Sequence, residues 1–348
     1  MKRVRLWLQV IAASLLIVVA SAISLVVWLW QERADVEDLD WPVATSNGET
    51  AEQVTVTWLG ITTLLFDDGE TQILTDGTFS RPSLFDILSQ RRIYSDVDTI
   101  NYALAEFRLD RVAAIIPVHS HFDHAMDAGL VANRTPAVVL GSESTANIAL
   151  GAKVPVSQYQ ILASGETRQF GKFTITLIES RHAPMGIAPR AGNGPWFPGT
   201  IDEPLEQPAR ISDWREGGTW SVLIGHPQGT ALIQGSGGYV EGALPEGGVD
   251  VVMLGIAGLA ALGRDYVDTY WTETVTRTGA TRVFPVHFED YTKPLGEVAL
   301  FPDIVDKVTI TAGWLDELAA ESPEPVSISR LPFGQPVAIF PGESPASP

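Results

Sequence analysis

The first pattern along the chain is an unbroken one. Leu6 to Trp30, LWLQVIAASLLIVVASAISLVVWLW, runs for 25 residues without a charge. As a helix it spans roughly 37 Å, enough to cross a hydrocarbon core of about 30 Å. No amphipathic period divides it, which separates it from a core helix. Lys2, Arg3 and Arg5 precede it and the acidic QERADVEDLD follows. The positive-inside rule therefore predicts a cytoplasmic N-terminus, with the rest of the chain on the periplasmic or extracellular side. Trp28 and Trp30 suit the outer interface. A cleaved signal peptide is the rival, because ASA at Ala20–Ala22 resembles a cleavage site. The apolar run continues eight residues beyond it, so an anchor over 6–30 is preferred.

The pattern then changes period. Residues 31–52 are polar and acidic and read as a tether. VTVTWLG alternates at period two, and LLFDDGETQILTD reads as a hairpin turning at Asp67–Glu70. Residues 95–109 carry a capping Ser95 or Asp96, with Ile100, Leu104 and Phe107 at helical spacing. VAAIIPV (112–118) is an apolar run of buried-strand length. A helix from about 124, a strand at 137–141, a helix SESTANIAL and a hairpin with its turn at 171–172 follow. WSVLIGHPQGTALIQGS is a further hairpin and VDVVMLGIAG a further buried strand. After them come a helix over 265–278, the strand TRVFPVH, and late helix and strand signals near 302–320 and 335–340. Residues 183–218 break this rhythm with six glycines and six prolines. A coil of that length inside a domain reads as a functional loop or as disorder. Two strand-rich halves, each followed by helices, predict two sheets between helix layers over 53–340. The composition of 341–348 predicts a disordered tail.

Charge and composition narrow the partners. The formal charge is −19, and −22 once Lys2, Arg3 and Arg5 are set aside. Phosphate binding needs a basic surface, so nucleic acid is excluded as a partner. There is no cysteine. That removes a disulfide partner, thiolate ligands and a Cys nucleophile.

The candidate chemistry is concentrated in PVHSHFDHAMD (117–127), which holds three of the six histidines. His119 and His121 are two apart where a strand ends, so both imidazoles point the same way. Asp123 and His124 follow the turn and can face a second ion. Nitrogen and carboxylate donors with an open position suit zinc. One such histidine alone is more often an ordinary core or surface residue; four donors in six positions point to metal. The remaining ligands are expected at strand ends, which selects His182 and His287. His226 lies in a hairpin turn, reads as a solvated residue, and is left out.

HSHFDH resembles the His-x-His-x-Asp-His signature of the metallo-β-lactamase superfamily, and the likeness covers roughly residues 53 to 300. It implies an α/β fold, the αββα four-layer sandwich. It also implies two zinc ions, one on His119, His121 and His182 and the other on Asp123, His124 and His287. VTWLGITTLLFDDGETQILTDGTFS resembles the opening of the branch containing ascorbate-6-phosphate lactonase and N-acylphosphatidylethanolamine phospholipase D. Ile61 and Gly77 replace that branch's usual His and Pro, which puts phosphorylated-substrate activity in doubt. The match at Asp76 implies a carboxylate behind the ligands, against the plain reading of a turn residue. Ser236 stands where many members carry an aspartate bridging both metals. One subclass of the family also has serine there and still binds two zincs.

The expectation is a zinc-dependent hydrolase in which a metal-bound hydroxide attacks an ester, lactone, amide or phosphodiester, oriented by Asp123, which accepts its proton. Its substrate would be a small or lipid-like molecule, and its membrane contact the N-terminal helix. Trp196, Phe197 and Trp214 would line or lid the cleft. The alternatives are a non-catalytic metal-binding or scaffold protein, and a metal-free serine hydrolase using Ser236. GSGG lacks the Gly-x-Ser-x-Gly elbow, which weakens the latter.

Overall fold

Strand-rich stretches occur twice along the chain, and their central strands are buried on both faces. The computed structural model describes residues 2–45, 53–184 and 197–340. In chain order the strands of the first half are β1 (Thr55–Trp58), β2 (Leu64–Asp67), β3 (Gln72–Thr75), β4 (Arg92–Ile93), β5 (Val112–Ile116), β6 (Val138–Gly141) and β7 (Tyr159–Ile161). Then come β8 (Thr167–Phe170), β9 (Phe173–Ser180), β10 (Ala209–Arg210), β11 (Thr219–His226), β12 (Gly229–Gln234), β13 (Val251–Gly255), β14 (Arg282–Val286), β15 (Ser327–Ile328) and β16 (Pro336–Ala338). One sheet runs β16-β1-β2-β3-β5-β6-β7 and the other β15-β14-β13-β12-β11-β9-β8. Each begins as an antiparallel meander and continues in parallel, β3 beside β5 and β12 beside β13. β4 and β10 form a separate ribbon.

The helices are α1 (Lys2–Gln31), α2 (Leu84–Leu88), α3 (Val97–Glu106), α4 (Phe122–Ala125), α5 (Ala128–Ala132), α6 (Glu143–Gly151), α7 (Leu259–Leu262), α8 (Arg264–Trp271) and α9 (Val308–Glu321). Period two assigns the faces of β5: Ala114 and Ile116 join the main core, whereas Ile115 joins the cluster beneath the helices. α3, α5 and α6 bring Ile100, Ala103, Val131 and Ala149 onto that outer face. On the second sheet, Val267 and Trp271 of α8 and Leu315 of α9 join the main core. The result is helix, sheet, sheet, helix.

Several expectations change in detail. The helix expected from about 124 starts at Phe122 and breaks into α4 and α5. The one over 265–278 is α-helical only to Trp271, then takes a π-helical turn over Thr272–Thr276. Residues 302–307 are irregular and α9 begins at Val308. β4, β7, β10, β15, α2 and α7 are too short to leave a readable period.

The stretch read as a tether is docked over much of its described length. Leu39 and Trp41 are buried in the main core. The Trp41 indole donates to Asp316 at 2.7 Å, Val43 bridges Arg330, and Arg33 pairs with the buried Asp290 at 3.1 Å. Residues 46–52 and the tail 341–348 lie outside the described residues. α1 is long and apolar enough to cross a membrane, with a mean hydropathy of 2.8 and no part buried against the protein.

Candidate metal centre

The site is assembled at one end of the two sheets. His119 follows β5, His182 follows β9, Ser236 follows β12 and His287 follows β14. Open sheets place ligands beyond the carboxyl ends of their parallel strands. β5 ends in an irregular turn through His119 and Ser120, and α4 starts directly after His121. That short helix presents Asp123 and His124 together.

Two clusters result. His119, His121 and His182 form one, and Asp123, His124 and His287 the other; within each, the potential ligand atoms lie within 4.8 Å of one another. The two touch through His119 and His124, whose ring centroids are 4.0 Å apart. Asp123 Oδ2 lies 3.5 Å from Nε2 of both His124 and His287. Nε2 of His119 faces Nδ1 of His121 at 2.9 Å.

The rear nitrogens explain this orientation. His124 Nδ1 is held by Asp76 Oδ2 at 2.8 Å. His182 Nδ1 meets the Ala183 carbonyl at 2.8 Å, and His121 Nε2 meets that of Phe197 at 3.4 Å. Each leaves its other nitrogen turned inward, as metal-holding imidazoles are arranged. His119 Nδ1 and His287 Nδ1 are buried without a partner.

Electrostatics separates the clusters. Burial, then neighbouring imidazoles, holds His119 well below its ordinary pKa. Burial likewise pulls His121 down to about 4 and His182 to about 3. Neutral imidazoles keep the lone pairs a cation needs. Burial also acts to lower His124, but the charges on Asp76 and Asp123 outweigh it and hold its pKa up. Burial would raise Asp123, yet His124 and the hydrogen bond from His287 prevail and keep it well below the carboxylate range. An ionised carboxylate is the form that a cation ligand must take. Five imidazoles and one carboxylate, whose inward atoms face one another, fit a pair of divalent cations.

Asp76 sits at a left-handed φ of 51°. Its Oδ1 accepts the Val118 N–H at 2.9 Å, and its Oδ2 accepts the Thr62 hydroxyl as well as meeting His124. Ile61 and His287 also have positive φ, 52° and 56°, and the Ile61 carbonyl accepts the His287 N–H at 3.1 Å. Such conformations cost of order 1–3 kcal/mol each and gather at functional sites. Gly77 has φ +76°, which no proline can adopt, since its ring fixes φ near about −65°.

A cleft of about 140 Å³ opens over the clusters, lined by His121, Asp123, His182 and His287 together with Phe197, Ser236, Tyr291, Phe301 and Asp306. Ser236 donates its hydroxyl to the Arg181 carbonyl at 3.2 Å. Trp214 does not line the cleft. It is fully buried with Phe122, Met126 and Ile211, behind the wall that Phe197 and Phe122 form. Trp196 lies outside the described residues. His226 is not solvated as expected: its side chain is 4% exposed, 3.6 Å from Asp68 and against the Phe173 ring. Thr62, Tyr291 and Asp306 carry no sequence signal, being isolated polar residues in turns. Burial pushes Asp306 up to about 6, against the pull of the Gly258 N–H.

A family model for the Metallo-beta-lactamase superfamily matches residues 56–203. The fold is the metallo-beta-lactamase α/β fold. Both sheets are mixed, and the matched segment contains the first sheet apart from β16 and Thr55 of β1, together with the 119–124 motif and His182. The chain is similar to the metallo-beta-lactamase fold protein YhfI from Bacillus subtilis, at 15% identity and TM-score 0.46, over 81% of this chain and 98% of that one. It is similar to Zn(2+)-bound PqqB from Methylobacterium extorquens, at 12% identity and TM-score 0.42, over 79% and 86%. It is also similar to CmlA, a diiron beta-hydroxylase from Streptomyces venezuelae, at 14% identity and TM-score 0.45, over 83% and 55%. No curated protein matches it in sequence.

Proposed function

We propose that this chain is a membrane-anchored, zinc-dependent hydrolase of an ester, lactone, amide or phosphodiester. The observation that carries the reading is the pair of three-ligand clusters sharing one cleft. His119, His121 and His182 hold one cation, and Asp123, His124 and His287 the other. Two bound divalent cations supply Lewis acidity and an activated water. Asp76 fixes His124 through Nδ1 and Thr62 buttresses that contact. Asp123, kept ionised, orients the attacking oxygen, while Phe197, Tyr291 and Phe301 exclude bulk water from the cleft. Ser236 lines the cleft with its hydroxyl committed to Arg181; a neutral hydroxyl adds little to a dication, so the second cation rests on Asp123, His124 and His287.

The 58–60 stretch supports placement in the lactonase and phospholipase branch, while Ile61 and Gly77 argue against phosphorylated substrates. The charge asymmetry around α1 supports an anchor with the domain on the periplasmic or extracellular side. The test is elemental analysis of the full chain beside a panel of lactone, β-lactam, ester and phosphodiester substrates. Two zinc per chain and chelator-sensitive turnover are expected. Two bound metals with no turnover on any class would favour a metal-binding scaffold, and chelator-insensitive turnover would remove the metal from the reaction.

A further inference from the structure

The end of α1 and the rim of the cleft are joined by direct contacts. The Asp303 N–H donates to the Glu32 carbonyl, one residue past α1, at 2.9 Å. Arg33 donates to the Leu300 carbonyl and to Asp290, both at 3.1 Å. Between these ties and α9 the chain passes through Phe301 and Asp306, which line the cleft. Phe301 meets the Tyr291 ring at 5.2 Å, and Tyr291 meets the His287 ring at 6.1 Å. At the tip of the same loop, Ile304 and Val305 turn outward, 56% and 48% exposed.

We propose that the 301–305 loop is a second membrane contact, with Ile304 and Val305 in the lipid interface, so that the cleft opens onto the bilayer from which α1 emerges. This rests on α1 spanning that bilayer. Two adjacent branched apolar side chains in water are poorly placed, but one hydrogen bond from a membrane helix they lie where apolar groups enter the headgroup boundary. Trp28, in the last turn of α1, marks the same level. A substrate entering over this rim is an amphiphile: its tail stays in lipid while its polar group reaches His287 and Asp123. The acidic chain favours a zwitterionic surface over an anionic one.

The chain has no cysteine, so single cysteines report cleanly. Ile304→Cys, Val305→Cys, Ser14→Cys within α1 and Val156→Cys each receive an environment-sensitive fluorophore in the full-length protein. The proteins are reconstituted in phosphatidylcholine vesicles carrying nitroxide-labelled lipid. Val156 is 79% exposed and precedes β7, which runs parallel to β6 and β5, so it lies at the end of the sheet away from the site. Quenching at 304 and 305 roughly twofold or more above that at 156 is expected for residues in the interface. Quenching at 304 and 305 equal to that at 156, with the probe at 14 quenched, would overturn the docking and leave the anchor standing. No quenching at 14 would remove both.

Discussion

β3 carries an aspartate beyond each end, and each faces a buried histidine. Past its C-terminus, Asp76 holds His124 at 2.8 Å; ahead of its N-terminus, Asp68 lies 3.6 Å from His226. In the first pair the histidine gives Nδ1 to Asp76 and turns Nε2 towards Asp123, 3.5 Å away, in a cluster that His287 completes. In the second, Nδ1 accepts the Gln228 N–H at 3.2 Å and Nε2 faces Asp68 at 3.6 Å without a hydrogen-bond partner, and among the described residues no third ligand group joins the pair. The charges around His124 overcome its burial and raise its pKa, whereas burial prevails at His226 and lowers it. A buried His–Asp pair is therefore not itself a site; the further ligand groups gathered beside it decide.

The largest expected effect separates the two pairs outright. His124→Ala should lose about one of two zincs and lower metal affinity by more than the roughly 10–100-fold that losing a supporting partner costs. His226→Ala should keep both zincs, as elemental analysis would read. Equal zinc loss in the two variants would dissolve the distinction.

Next comes the pH dependence of the metal-free chain. His119, His121 and His182 favour the neutral form when folded, so their contribution is present above about pH 6.5 and is lost as pH falls. The loss runs towards about pH 4 for His121 and about 3 for His182. At about 1.4 kcal/mol per pKa unit, His121 alone accounts for roughly 3 kcal/mol. His124 acts oppositely, stabilising below its raised pKa and losing that contribution as pH rises through it. Denaturant melts of metal-stripped protein between pH 7 and 4, expected to show a net fall, would test this; a stability that rises on acidification would contradict it.

Asp76→Asn should weaken metal binding by about 10–100-fold while the fold persists. Asp68→Asn should leave metal binding unchanged and cost about 1 kcal/mol, because its Oδ1 also accepts the Glu70 and Thr71 N–H groups. Competition with a chromophoric chelator reads the first and thermal melting the second. Smallest of all, Ser236→Ala should retain both zincs and most turnover, whereas loss of one zinc would show the serine to be a ligand.

How much of this could be read beforehand follows from chain separation. His119, His121, Asp123 and His124 are local, so their spacing announces them. His182 and His287 were reachable because each ends a readable apolar strand. Trp214 is not legible in this way, because an aromatic residue in a Gly/Pro-rich loop looks the same whether it faces a cleft or backs one. The burial of His226 at a hairpin end leaves no local signal, because it depends on the Asp68 turn, more than 150 residues earlier. Thr62 and Asp306 depend on contacts between distant turns, which leave no period. The fold's layers were legible from period two and continuous apolar strands, whereas two-residue strands such as β4 and β10 exist only through pairing.

The ion pair between Arg33 and Asp290 has a practical consequence for anyone dissecting this chain. A soluble fragment cut where the alternating pattern starts, at residue 53, would strip the partner from a carboxylate that is almost wholly buried. Removing one member of a buried pair costs about 3–5 kcal/mol, and the same cut would empty the seats of Leu39 and Trp41. A fragment beginning at Glu32 leaves all three in place and dispenses only with the greasy helix. The working boundary of the domain is thus set by where its charges are neutralised, some twenty residues ahead of its first strand.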